Sequence, residues 1–174
     1  LYKPESKTEI KKYSPSGKVP VLIDGEIKIW DSLAINEYLA ETYDSTLWPK
    51  DAKIRAIARS ISAEMHSGFL NVRTQLSMDM KNHYPQTEIK PEVQTEIERI
   101  INIWTECKEN YGQDGDFLFG KFTIPDAMFA PVVSRFLTYN VNLTGLAKTY
   151  AETIWNLPHL QTWFTDAKNE TEVI

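Results

Sequence analysis

The chain is short of the residues from which disulfides, metal sites and catalytic dyads are usually built. Its 174 residues include one cysteine and three histidines. The lone Cys107 excludes an intrachain disulfide, and it falls in a helical apolar pattern with Ile100, Ile103 and Trp104, the setting of a small core residue rather than a reactive thiol. His66, His83 and His159 stand too far apart for zinc-ligand spacing, so no metal is expected. Positive charge is also scarce: 19 Lys and Arg against 24 Asp and Glu leave a formal net charge of −5. That balance argues against nucleic acid or an anionic membrane as the main partner. No apolar run approaches the roughly 20 residues that span a bilayer, and the first residues have no signal-peptide pattern, so a cytoplasmic protein is the expectation. Ser16-Gly17-Lys18 lacks the leading Gly and trailing Ser or Thr of a phosphate-binding loop, and no G-x-S-x-G, dinucleotide fingerprint or internal repeat is present.

What the chain does have is 42% hydrophobic residues, enough for a core, arranged in two different periodicities. From Ser14 to Tyr43 it reads SPSGKVPVLIDGEIKIWDSLAINEYLAETY. Leu1 to Pro4 reads as the end of a strand, and Glu5 to Tyr13 as a short charged helix that stops before Pro15. Val21-Leu22-Ile23 is a continuous apolar run, as in a strand covered on both faces, and Ile27-Lys28-Ile29 alternates like a strand with one wetter side. Asp24-Gly25 between them is a strong hairpin signal. A helix then starts at Asp31-Ser32, either of which can cap it, and directs Leu33, Ile35, Leu39 and Tyr43 toward a core. Two places could hold a ligand. At Val19-Pro20 a cis bond would turn the Val19 backbone outward to pair with an extended peptide. At Ser32 the N-terminus of the helix offers N–H groups and dipole to a carboxylate.

Asp44 to Asp51 has the composition of a linker, and long helical patterns follow. Ile54, Ala58, Ile61, Met65, Val72 and Leu76 mark one core face from about Ala52 to Ser77, bordered by a polar stripe of Arg55, Arg59, Ser62, His66 and Arg73. A connection through His83-Tyr84-Pro85 leads to a second long helix carrying Ile89, Val93, Ile97, Ile100, Ile101 and Trp104, broken at Gly112 to Gly115. In FLFGKFTIPDAMFAPVVSRFLTY, Thr123 and Asp126 have capping-box spacing, Pro125 sits in the first helical turn and Pro131 predicts a kink. The usual staple is blunted, because Phe122 would meet only Ala127. Patterns around Leu146–Trp155 and Pro158–Lys168 complete an all-helical part.

The order SPSGK, VP, VL, hairpin, DS, EYL resembles the glutathione-binding half of the cytosolic glutathione transferases. The Thr-x-x-Asp box resembles the start of that family's central buried helix. The VP and S-L-A-I pattern is similar to its zeta-type members. The resemblance implies an α+β protein: a partial thioredoxin-like domain at 1–46 followed by an all-α domain at 51–174. It implies that Val19 and Pro20 pair with the cysteinyl part of glutathione, that Asp31 and Ser32 hold its γ-glutamyl end, and that Lys18 could reach its glycine carboxylate. It also implies a strand, a helix and a strand upstream of Leu1, carrying the Tyr, Ser or Cys that activates the thiol, so no catalytic residue is assigned here. The implied activity is attack by glutathione thiolate on a small electrophile, with glutathione as co-substrate, and the implied assembly is a homodimer. The long polar stripe would line either the electrophile pocket or the subunit interface. Two alternatives stand beside this reading. One is a glutathione-dependent isomerase of the maleylacetoacetate type, for which Arg59 or Arg73 would meet an acidic substrate. The other is a non-catalytic scaffold on the same fold.

Overall fold

A computed structural model describes residues 5–85 and 88–171. The expected strand end at Leu1–Pro4 lies outside these residues. The chain divides into two compact units, one ending at Leu47 and the other running from Trp48 to Thr171.

The first unit contains helix α1 (Ser6–Tyr13), strands β1 (Val21–Asp24) and β2 (Ile27–Trp30), helix α2 (Ser32–Thr42) and a 3-10 turn at Ser45–Leu47. The strands pair antiparallel in the register Val21↔Trp30, Leu22↔Ile29, Ile23↔Lys28, Asp24↔Ile27. The two-residue turn is therefore Gly25-Glu26, one position later than Asp24-Gly25, and only its first residue takes positive φ (Gly25, 58°), as a type II′ hairpin turn requires. Asp24 does other work. Its carboxylate accepts hydrogen bonds from the hydroxyls of Tyr38 (2.8 Å) and Tyr43, tying the end of α2 to the turn. Tyr43 is thus an exposed surface clamp and not the core residue its spacing suggests. Nor is β1 covered on both faces: Ile23 is 49% exposed, and among the described residues β1 has one strand neighbour, β2, with α2 packed against the pair.

The second unit is all helical: α3 (Ala52–Ser67), α4 (Leu70–Gln75), α5 (Pro91–Tyr111), α6 (Ile124–Thr138), α7 (Gly145–Trp155) and α8 (Pro158–Asn169). Helix α6 packs on α3 and α7, α5 packs on α4 and α7, and α8 packs on α7. Trp104 is fully buried, with the rings of Phe129, Phe136 and Tyr150 at centroid distances of 5.8, 5.5 and 5.1 Å. The single helix expected from Ala52 to Ser77 is two. Its apolar spacing continues because Val72 and Leu76 enter the same core, but the backbone breaks at Gly68 and Phe69, whose φ is +57°. The expected linker is also pinned at its end. Trp48 is buried beneath the Arg59 guanidinium (5.4 Å to the ring), and Arg55 Nη1 donates to the carbonyls of Pro49 (3.1 Å) and Lys50 (2.8 Å).

Cys107 is buried in this core, where burial, with the charges of Glu106 and Asp126, pushes its thiol up to about 12. The capping box forms: the Thr123 N–H and hydroxyl donate to Asp126 Oδ2 at 2.8 and 3.0 Å. Phe122 finds an edge-on contact with Phe117 (5.5 Å) in place of a staple. Pro131 sits inside the continuous helix α6.

Candidate functional site

Helix α1 ends at Ser14, whose extended backbone (φ −103°, ψ 118°) and following Pro15 stop it. A tight turn comes next. The Gly17 N–H donates to the Ser14 carbonyl (3.0 Å), Gly17 takes φ +68°, and the Lys18 N–H donates to Ser16 Oγ (3.2 Å). Ser14 is fully buried and its hydroxyl meets that of Ser16 at 3.0 Å. The Lys28 ammonium, from β2, donates to the Lys12 carbonyl (3.2 Å) and ties α1 to the hairpin. The turn delivers Lys18, Val19 and Pro20 to the start of β1, all three exposed, with the Val19–Pro20 bond cis.

At the other end of the hairpin sequence, β2 runs directly into α2. Asp31 caps this helix. Its Oδ1 accepts the N–H groups of Leu33 (3.0 Å) and Ala34 (3.2 Å), and its φ of +76° is an unusual conformation for a residue other than glycine. Of the two candidate caps, Asp31 therefore has the capping role, and Ser32 occupies the first helical position.

The strand register joins these two places. Val21 pairs with Trp30, so the residue before Val21 and the residue after Trp30 leave the same open end of the hairpin, from strands about 5 Å apart. Lys18, Val19, Pro20, Asp31 and Ser32 are thereby brought to one edge of the first unit, 11 residues or more apart in sequence between the Pro20 and Asp31 groups. At the opposite end the Asp24 carboxylate, held below its ordinary value by the Tyr43 and Tyr38 hydroxyls, anchors α2. The hydrogen bond to Asp24 raises the Tyr43 phenol to about 12. That anchor fixes where the start of α2 lies relative to the strands. It was not visible in the sequence, since nothing in the spacing of Asp24, Tyr38 and Tyr43 marks a shared hydrogen bond.

The polar stripe is largely spent inside the second unit. Arg55 and Arg59 hold the Trp48 segment as described, Arg73 donates to the carbonyls of Met65 and Gly68, and Ser62 is fully buried. Among the described residues no group of three or more His, Cys, Asp or Glu side chains could hold a metal ion, and no helix is long and apolar enough to cross a membrane.

With this geometry in place, comparison with known proteins is specific. Residues 1–41 match the family model described as "Glutathione S-transferase, N-terminal domain". Glutathione S-transferase F7 of Arabidopsis thaliana is 29% identical over 161 residues, covering 88% of this chain and 71% of that protein. A probable maleylacetoacetate isomerase of Caenorhabditis elegans is 47% identical over 70 residues, covering 39% of this chain and 32% of that protein. The crystal structure of a Burkholderia glutathione transferase homolog with bound glutathione superposes with a TM-score of 0.68 at 21% identity, covering 97% of this chain and 80% of that one.

Proposed function

We propose that this chain, a member of the cytosolic glutathione transferase family, binds glutathione at the open end of its hairpin and serves the transfer of the tripeptide's thiolate to a small electrophile. The domain that binds it is the stretch 1–46, and 51–174 is the helical domain. The observation that supports the reading is the register: Val21 pairs with Trp30, so the exposed residues Val19 and Pro20 precede β1 at the same end of the hairpin from which the chain enters α2. Glutathione has the matching parts. Its central residue is an extended peptide unit able to pair with the Val19 backbone. Its γ-glutamyl carboxylate suits a helix N-terminus, where the positive end of the dipole and the Ser32 group meet it. Lys18 complements the carboxylate at its glycine end. The chemistry needs thiolate near neutral pH, and a free thiol ionises at about 8.5, so each unit of lowering requires about 1.4 kcal/mol of preferential stabilisation of the anion. A homodimer and a cytoplasmic location accompany this reading.

Isothermal titration of the chain with glutathione tests it. Ser32→Ala is expected to weaken binding about 5- to 30-fold, equivalent to about 1–2 kcal/mol for a hydrogen bond to a charged group. Asp31→Ala is expected to lower stability by about 1 kcal/mol through loss of the helix cap. No binding by the unsubstituted chain, or equal affinity after Ser32→Ala, would sink the assignment of the site.

The 47% identity over 70 residues to a probable maleylacetoacetate isomerase favours a second reading, in which glutathione acts as a recycled cofactor for isomerisation of an acidic substrate. Turnover of a maleyl-type diacid without net consumption of glutathione would select it over conjugation.

A further inference from the structure

The break between α3 and α4 and the last turn of α6 bring two arginines onto one patch of the helical unit. Arg73, on α4, donates from Nε to the Gly68 carbonyl (3.1 Å) and from Nη2 to the carbonyls of Met65 (2.5 Å) and His66 (3.4 Å). Arg135, on α6, donates from Nη1 to the Leu76 carbonyl and, at 3.4 Å, to the carbonyl of Arg73 itself. Both are half-buried. Among the described residues neither is paired with a carboxylate, in contrast to Arg99, whose fork meets both oxygens of Glu64 at 2.8 and 2.9 Å. Burial and the charge of Arg73 together depress the Arg135 guanidinium.

Charge accounting shows what this patch lacks. The carbonyls that the two side chains engage belong to the ends of α3 and α4, and a helix C-terminus carries about half a negative charge at most. Two such ends offset about one of the two positive charges and leave about one unbalanced. Donors also remain. Arg73 Nη1 and Arg135 Nε and Nη2 form no hydrogen bond with any described residue. Two planar guanidinium forks with free N–H groups and one surplus charge match a single oxyanion better than any neutral or cationic group. We propose that Arg73 and Arg135 hold one small oxyanion, a phosphate, sulfate or carboxylate group. This site lies within the helical unit and is independent of the glutathione reading.

The test uses the full chain without glutathione, titrated with inorganic phosphate while chloride keeps the ionic strength constant. Arginine Nε–Hε resonances and the melting temperature are followed together. Saturable movement of the Arg73 and Arg135 resonances is expected, with Arg99 unmoved and the melting temperature rising along the same curve. Arg135→Lys and Arg73→Lys keep the charge but lose the fork, and each is expected to weaken phosphate binding about tenfold. Phenyl phosphate and acetate, titrated in the same way, separate an esterified phosphoryl group and a carboxylate from free phosphate. Resonances that drift without saturating, an equal response to chloride, or unchanged affinity in both folded variants would each overturn the proposal. If a lysine variant fails to fold, the resonances of the unsubstituted protein still decide it.

Discussion

At Asp126 a carboxyl that accepts hydrogen bonds on both oxygens sits where water does not reach. The Leu118 N–H donates to Oδ1 at 3.2 Å, Thr123 donates twice to Oδ2, and the residue is fully buried. The buried Tyr150 hydroxyl also acts on this carboxyl electrostatically, without a hydrogen bond of ordinary geometry. Burial outweighs the hydrogen bonds and raises the carboxyl from 3.8 to about 6. The folded state therefore binds this proton more tightly than the unfolded chain. The stabilisation is fully present below about pH 3.8 and is lost as pH rises through about 6. Two units correspond to at most about 3 kcal/mol. Asp126→Asn removes the titration, so the stability difference between the two proteins, measured by urea unfolding at pH 4 and pH 7, is expected to shift toward the variant at the higher pH. A difference that does not change with pH would contradict this. Asp126→Ala, which strands the Leu118 and Thr123 donors, is expected to cost about 2–4 kcal/mol at pH 4 and less at pH 7, because it removes the same titration. The Thr-x-x-Asp spacing made the cap legible in the sequence. The pH dependence was not legible, since it arises from burial that no local spacing encodes.

At the scale of elements, what the sequence could reveal depended on whether local chemistry or tertiary packing set the boundary. The starts of α2 and α6 were readable because Asp31 and Thr123 are local caps, and the hairpin was readable from its turn residues. The break between α3 and α4 was not, because apolar periodicity persists across it while the distant Arg73 satisfies the carbonyls it exposes. This distinction gives a prediction of opposite sign for the two descriptions. Within a continuous helix, Gly68→Ala would stabilise by about 1 kcal/mol through better helix propensity. In the broken geometry, the added Cβ would stand 2.7 Å from the Glu64 carbonyl oxygen, a backbone atom that cannot swing aside. Gly68→Ala is therefore expected to destabilise by about 1–3 kcal/mol, read as a lower melting temperature. A higher one would restore the single helix. The Trp48 segment teaches the same lesson in reverse. Its polar, proline-containing composition looks like a free connection, yet it is held by Arg55 and Arg59, members of a stripe whose spacing alone could not say what they touch.

For the molecule as a whole, the two units differ in how much they bury. Among the described residues of the first, Ala40 is the only buried hydrophobic side chain, and Ile23, Ile27 and Trp30 on the hairpin are each 45–53% exposed. The second unit holds Trp104, Phe129, Phe136 and Tyr150 fully buried in one cluster with many aliphatic neighbours. Burial of apolar surface is the main favourable term in folding, at roughly 25 cal/mol per Å², so the opening free energy of each unit follows from what it covers. Local opening exposes amides in proportion to the stability of the segment that holds them. Native-state hydrogen exchange is therefore expected to be at least about 100-fold faster for the paired amides of β1 and β2 than for the central amides of α5 and α6, a difference of about 2.7 kcal/mol. Equal protection would mean that the hairpin and the helical core open only together, and that the stability of the proposed glutathione site is supplied by the helical unit. Faster exchange in the hairpin carries a functional corollary. Glutathione bound across Val19-Pro20 and the start of α2 would be held by the less stable unit, and saturating ligand should then slow exchange there while leaving the α5 and α6 amides unchanged.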